Sequence, residues 1–204
     1  MKKNIGEFKN LKLKFSKKKE NYIKKNIKIF IDEIKDDFVK RKNVFHVFNK
    51  DYQFNTKNLE KFKKLNSIII IGMGGSILGT KAIYEFLKHK IKKQVYFIDN
   101  LEVNKFKEIS LQVNLKKSLF LIISKSGETL ETLSIINSFS KVKFNKNNTI
   151  IITENKKSSL KLFAAERKIH VIDHKKYISG RYSVLSEVGM IPSFLMGLKI
   201  IKFR

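Results

Sequence analysis

Five short apolar runs punctuate the last two thirds of the chain: Ile68–Ile71, Val95–Ile98, Leu119–Ile123, Thr149–Ile152 and His170–Ile172. They are apolar almost throughout, not at alternate positions, which is the pattern of strands covered on both faces in a parallel sheet. Helix-length segments lie between them at about 77–90, 102–112, 129–140 and 157–167. This alternation predicts βαβ units and a three-layer αβα sandwich around a five-stranded parallel sheet. Its crossovers should be right-handed. Ligands of such sheets bind beyond the carboxyl ends of the strands, so the turns leaving each run are where chemistry is expected.

Residues 1–66 have a different period. Ile23, Ile27, Phe30, Ile31, Ile34 and Phe38 recur at steps of three and four, one face of a helix, and Leu59, Phe62 and Leu65 predict a second, shorter helix. This stretch carries no catalytic constellation. It is expected to be a helical N-terminal extension (1–66) that packs against an α/β domain spanning 67–204.

Composition changes this picture little. Cysteine is absent, which excludes a disulfide framework and thiolate metal sites and suits a reducing compartment. Met1 to Phe8 lack the apolar stretch of a leader peptide, and no run approaches the length of a membrane span, so a cytoplasmic protein with no membrane partner is expected. The net charge of +26 invites a nucleic-acid reading, but only 4 of the 44 basic residues are Arg. Base and phosphate readers favour the planar guanidinium. The charge is also spread out: residues 1–66 carry 20 basic and 8 acidic side chains, residues 67–204 carry 24 and 10. Diffuse Lys gives weak, salt-sensitive polyanion binding, and no specific nucleic-acid partner is expected.

Three turns carry candidate chemistry. After the third run comes Ser124-Lys125-Ser126-Gly127-Glu128-Thr129-Leu130-Glu131-Thr132. A buried strand there empties into a hydroxyl-rich turn that opens a helix, where unpaired N–H groups and the macrodipole favour an anion. The plain alternative is an ordinary helix cap, which one Ser or Thr would satisfy. Ser124, Ser126, Thr129 and Lys125 together fit a phosphate cradle better. After the first run comes Gly72-Met73-Gly74-Gly75-Ser76-Ile77-Leu78-Gly79. It is neither a dinucleotide fingerprint, because Ile77 stands where glycine is needed, nor a P-loop, because the order is Gly79-Thr80-Lys81. No nucleotide cofactor or metal is therefore expected. Gly72, Gly74 and Gly75 allow positive φ and close approach of a ligand, or simply make a tight turn. The third turn, Ser179-Gly180-Arg181-Tyr182-Ser183, follows the last run. Arg181 there is either an oxyanion stabiliser or a surface arginine salt-bridged to a neighbour.

These three turns, in this order, resemble the phosphoglucose isomerase family, and the chain looks like the family's amino-terminal half, a sugar-isomerase (SIS) domain behind a helical extension. The resemblance covers about 65–200 well and 1–64 loosely. It implies a phosphosugar ligand held by Ser124, Ser126 and Thr129 with Lys125 beside them. It places sugar contacts on Gly75 and Ser76, and enediolate stabilisation on Arg181. Asp99-Asn100 falls near a short polar motif of the family. Ser179 departs from it, since a glycine is common there. The implied reaction is aldose–ketose isomerisation of glucose 6-phosphate to fructose 6-phosphate through an enediol.

That reaction needs a positioned base. In the family it comes from the carboxyl-terminal half, as do the groups that open the sugar ring. The sequence is expected to be truncated before that half, and to turn over little or not at all alone. Glu128 lies in the cradle and Glu187 stands where the family usually has a non-acidic residue, so neither is expected to be the base; of the four histidines none sits in a ring-opening motif, and His174 reads as a solvated loop histidine. The alternative function is a non-catalytic phosphosugar-binding module. An open apolar flank is expected to pair with a second copy or with a complementing carboxyl-terminal half.

Overall fold

The computed structural model describes residues 16–40, 42–49, 52–139 and 141–203, so the amino-terminal residues read for a leader peptide lie outside it. The chain divides into two compact units, Met1–Arg41 and Lys42–Arg204. In the first, helix α1 spans Lys17–Val39. Ser16 caps it by accepting the Lys19 N–H, and Glu20 sits in the first turn where the macrodipole favours a carboxylate.

In the second unit the strands are β1 (Ser67–Gly72), β2 (Gln94–Ile98), β3 (Ser118–Ile123), β4 (Thr149–Thr153) and β5 (His170–Asp173). They form one parallel sheet in the order β2-β1-β3-β4-β5. The helices are α2 (Leu78–Leu87), α3 (Val103–Gln112), α4 (Leu130–Ser138), α5 (Ser159–Glu166) and α6 (Glu187–Leu195). The strand order reverses direction between β1 and β3, the switch point where open α/β sheets leave a crevice.

The apolar runs work by sending alternate side chains to opposite faces. Ile68, Ile70, Leu119, Leu121, Ile150 and Ile152 pack on one face with Ile83 of α2 and Val188, Ile191 and Leu195 of α6. Ile69, Ile71, Phe120, Ile122 and Ile151 pack on the other with Ile109 of α3, Ile135 of α4 and Leu160 of α5. All these strand residues have 0% exposure. Burying each such side chain contributes roughly 1.5–3 kcal/mol, which is why the core holds a sheet that has no polar face. The expected α/β sandwich is thus observed.

The second helix expected around Leu59 and Phe62 is a 3-10 segment over Lys57–Lys64. Both side chains are fully buried in the core of the sheet-bearing unit. Helix α6 contains the chain's single proline, Pro192. Proline has no N–H, so the carbonyl of Val188 loses its helical donor. The Thr80 hydroxyl of α2 takes that place at 2.9 Å. The same two helices approach closely because Gly79 and Gly189 both face Val184: a Cβ on Gly189 would lie 1.9 Å from the Val184 carbonyl oxygen.

Candidate functional site

β1 and β3 run in register, with Gly72 opposite Ile123, so the turns that leave them start side by side. In the β3 turn the Ser124 hydroxyl, 2% exposed, lies 2.9 Å from that of Thr129 and accepts the Gly127 N–H at 3.1 Å. Ser126 lies 3.4 Å from the same Thr129 hydroxyl and accepts the Glu128 N–H at 3.2 Å. Thr129 occupies the N-cap position of α4, yet its side chain makes no capping bond. The three hydroxyls are gathered on one another, while the N–H groups of Leu130 to Thr132 have no acceptor inside the helix. Gly127 lets the turn close: its φ is +70°, and a Cβ there would meet the Ser158 hydroxyl at 2.3 Å.

Lys125 points elsewhere. Its ammonium donates to the carbonyls of Lys176 at 2.9 Å and Ile178 at 2.8 Å, and lies 3.5 Å from the Glu154 carboxylate. It straps the hydroxyl turn to the loop after β5. Glu128 is also occupied: its carboxylate accepts the Ser159 N–H and hydroxyl at 2.6 and 2.7 Å, at the start of α5. Those two bonds, the hydroxyl first, hold its carboxyl below the ordinary value.

The β1 turn contains a 3-10 segment, Gly74–Ser76. Of the three glycines expected there to permit positive φ, only Gly74 uses it, at +52°. Gly72 and Gly75 serve close approach instead. A Cβ on Gly75 would lie 2.3 Å from the carbonyl carbon of Gly180, directly before Arg181. The Ser183 hydroxyl joins the two loops, 3.1 Å from the Gly75 carbonyl oxygen and 2.6 Å from that of Gly180. Ser76 is half-buried in this turn. Arg181 is exposed, in a 3-10 segment over Gly180–Tyr182, and among the described residues no carboxylate pairs with it. The three sequence-distant turns are therefore neighbours, with Lys125 and Ser183 as the ties.

Asp99, at the end of β2, braces α2 and α3 through Lys81 at 2.9 Å and Lys105 at 3.2 Å. Burial raises its pKa, and the two lysines outweigh this and leave it below the ordinary range.

One network escaped the sequence reading. His174 is not a solvated loop residue: it is 2% exposed, with Nδ1 3.0 Å from the Glu187 carboxylate, itself 3% exposed. That carboxylate also accepts the Tyr52 hydroxyl at 2.5 Å and the Lys175 N–H at 3.0 Å. Glu187 is the first residue of α6, where the macrodipole favours negative charge. Burial raises its pKa, but the bonds from His174 and Tyr52 outweigh that and hold it below the ordinary 4.5. The only sequence signal was an acidic residue directly after the capping Ser186. A cavity of about 440 Å³ along β5 is bordered by Glu187, Tyr52, Asn55, Asn58 and His170, and by none of the hydroxyls of the β3 turn.

The depressed pKa of Glu187 makes the fold sensitive to acid. A depressed folded pKa lends stability that is present above the ordinary 4.5 and is lost as pH falls through the folded value. The melting temperature is expected to drop on acidification from about pH 6 to about pH 3, and Glu187→Gln to flatten part of that slope. Superimposable acid slopes for the two proteins would contradict it.

Among the described residues no group of three or more His, Asp or Glu could hold a metal ion. No described helix is long and apolar enough to cross a membrane.

A parallel sheet in this order, with a hydroxyl-rich turn at its switch point and a glycine turn and an arginine loop beside it, defines an α/β domain of the sugar-isomerase (SIS) type. The family model for phosphoglucose isomerase matches residues 23–203, and the chain belongs to that family. It is 39% identical over 153 residues to a glucose-6-phosphate isomerase of Methanocaldococcus jannaschii, a match covering 72% of this chain and 37% of the relative. With a glucose-6-phosphate isomerase of Borreliella afzelii identity is 32%, over 71% of this chain and 30% of the relative. The crystal structure of a glucose-6-phosphate isomerase from Chlamydia trachomatis superposes with a TM-score of 0.57 at 26% identity, covering 67% of this chain and 28% of that one. That of a hypothetical protein from Thermus thermophilus superposes at 0.63, also at 26% identity, over 72% of this chain and 38% of that one. The chain thus spans about a third of the length of the curated relatives it matches.

Proposed function

We propose that this chain binds the phosphate of glucose 6-phosphate and contributes the enediolate-stabilising arginine to its isomerisation to fructose 6-phosphate. The observation that carries this is the cluster of Ser124, Ser126 and Thr129 hydroxyls at the amino end of α4. A phosphate there would exchange hydroxyl–hydroxyl bonds for charge-assisted ones, which are roughly twice as strong. Gly75 and Ser76 would face the sugar across the crevice. Lys125 straps the arginine loop to the turn. Arg181, without a carboxylate partner among the described residues, keeps its guanidinium for the negative charge that develops on the enediolate oxygen.

A base must carry the proton between the two adjacent carbons, and neither Glu128 nor Glu187 suits the task. Glu128 is committed to Ser159, and Glu187 is buried with both oxygens engaged. The purified chain is therefore expected to bind glucose 6-phosphate and to turn it over poorly or not at all. A coupled assay showing isomerisation at the rate of a complete isomerase would overturn this. The same facts support a second reading, a phosphosugar-binding module without catalysis. Addition of a complementing carboxyl-terminal half separates the two, because only the first reading predicts that activity appears.

The cradle has its own test. Ser126→Ala and Thr129→Ala are each expected to weaken glucose 6-phosphate binding about tenfold, the worth of one hydrogen bond to a charged group. Calorimetry giving wild-type affinity for both variants would remove the cradle assignment.

A further inference from the structure

We propose that Glu187 is a positioning residue for Arg181, its buried carboxylate acting as the clasp that closes the base of the loop from His174 to Glu187. The proposal rests on the role given to Arg181 above.

That loop leaves the sheet after Asp173, the last residue of β5, and re-enters regular structure at Glu187, the first residue of α6. Arg181 sits near its middle. A segment of this length has many conformations unless its ends are fixed. The Glu187 side chain fixes them. Belonging to the end of the loop, it reaches the beginning, with one oxygen 3.0 Å from both the Lys175 N–H and His174 Nδ1. Its other oxygen takes the Tyr52 hydroxyl at 2.5 Å, which ties the closed base to a segment from a distant part of the chain. Tyr52 is itself seated, 6% exposed, against Ile178 of the same loop. A buried carboxylate is retained only where partners replace its water, and here the partners are the start of the loop and Tyr52. Further along, Lys125 holds the carbonyls of Lys176 and Ile178, and Ser183 holds Gly180 to Gly75. Those two ties fix the loop against the other turns, but they act on a segment whose base Glu187 has already closed. Loss of the clasp should loosen the segment that carries the guanidinium while the sheet stays intact.

The test is hydrogen exchange on the full chain combined with a double-mutant cycle. Glu187→Gln keeps the shape and removes the charge. It is expected to speed amide exchange through residues 175–186 about tenfold or more while β1 and β3 stay protected. Arg181→Ala and Glu187→Gln are each expected to weaken binding of 6-phosphogluconate, whose C1 carboxylate stands in for the enediolate charge, about tenfold, and the double variant to bind no more weakly than Arg181→Ala. A purely global loss of stability would speed exchange in the strands as well and would not couple to Arg181. Unchanged loop exchange, or losses that multiply in the double variant, would overturn the proposal. If Arg181→Ala alone leaves affinity unchanged, the functional role of Arg181 falls, and the confined exchange still decides whether Glu187 is the clasp. If Glu187→Gln does not fold, Tyr52→Phe, which removes one bond, must show the same confined rise. Its absence there would overturn the proposal too.

Discussion

Gly127→Ala is expected to unfold this domain at a temperature roughly 5–15 °C below wild type, through a loss of about 2–4 kcal/mol. Two costs add. The backbone at Gly127 holds φ at +70°, a region that costs an L residue roughly 1–2 kcal/mol. The new methyl also has no room: it would meet the Ser158 hydroxyl at 2.3 Å, its Cβ at 2.8 Å and the Thr153 hydroxyl at 3.0 Å. Ser158 cannot simply turn aside, since it is 3% exposed and caps α5. The turn must then move, and with it the Gly127 N–H that orients Ser124. Binding of glucose 6-phosphate should fall along with stability. Calorimetric unfolding of the two proteins checks the first part, and a melting point within a degree of wild type would refute the account of this turn.

Gly75→Ala is expected to act the other way round, with a modest loss of stability and a large loss of binding. Gly75 has no positive φ, so alanine brings no backbone strain. It brings a methyl 2.3 to 2.8 Å from three backbone atoms of Gly180. Backbone cannot yield as a side-chain tip can, so the loops must separate, which draws Gly75 and Ser76 from the sugar and Arg181 from the place of the enediolate charge; a misplacement on the order of an ångström costs up to about 100-fold where reacting geometry matters. Gly74→Ala is the control. Its φ of +52° means strain, but nothing lies within 4 Å of the added methyl. It should cost stability and leave the loops where they are. Titration with 6-phosphogluconate, whose C1 carboxylate stands in for the enediolate charge, distinguishes the two. Equal affinities for Gly74→Ala and Gly75→Ala would show that the contact between the loops does not place Arg181.

The strands and their order along the chain were legible because their signal is local. Ile68–Ile71 and Leu119–Ile123 are short, largely β-branched and apolar at consecutive positions, the pattern of strands in a sheet covered on both faces. The turns were legible for the same reason: glycine and clustered hydroxyls mark strand ends whatever surrounds them. The 3-10 form of Lys57–Lys64 was not legible, since its spacing of apolar residues fits either helix type. Nothing around Pro192 in sequence shows that α6 runs through it, since the replacement donor to the Val188 carbonyl is Thr80, more than a hundred residues earlier.

Long charged side chains were the least legible. Lys125 stands inside the hydroxyl turn in sequence, and adjacency assigns it to the anion. Its ammonium reaches the carbonyls of Lys176 and Ile178 instead, because a four-carbon stem lets the charge settle wherever unpaired acceptors lie. His174 reads as a solvated loop residue and Glu187 only as an acid out of step with the family, and nothing near them in sequence says that Tyr52 closes over them. The sequence by itself determined the parallel sheet, the places where its strands end and the residue types offered at those ends, since each follows from burial and backbone preference over a few neighbouring residues. Tertiary structure alone decided which turns touch, which lysine becomes a strap and which carboxylate is buried, because those depend on distances between segments far apart in the chain.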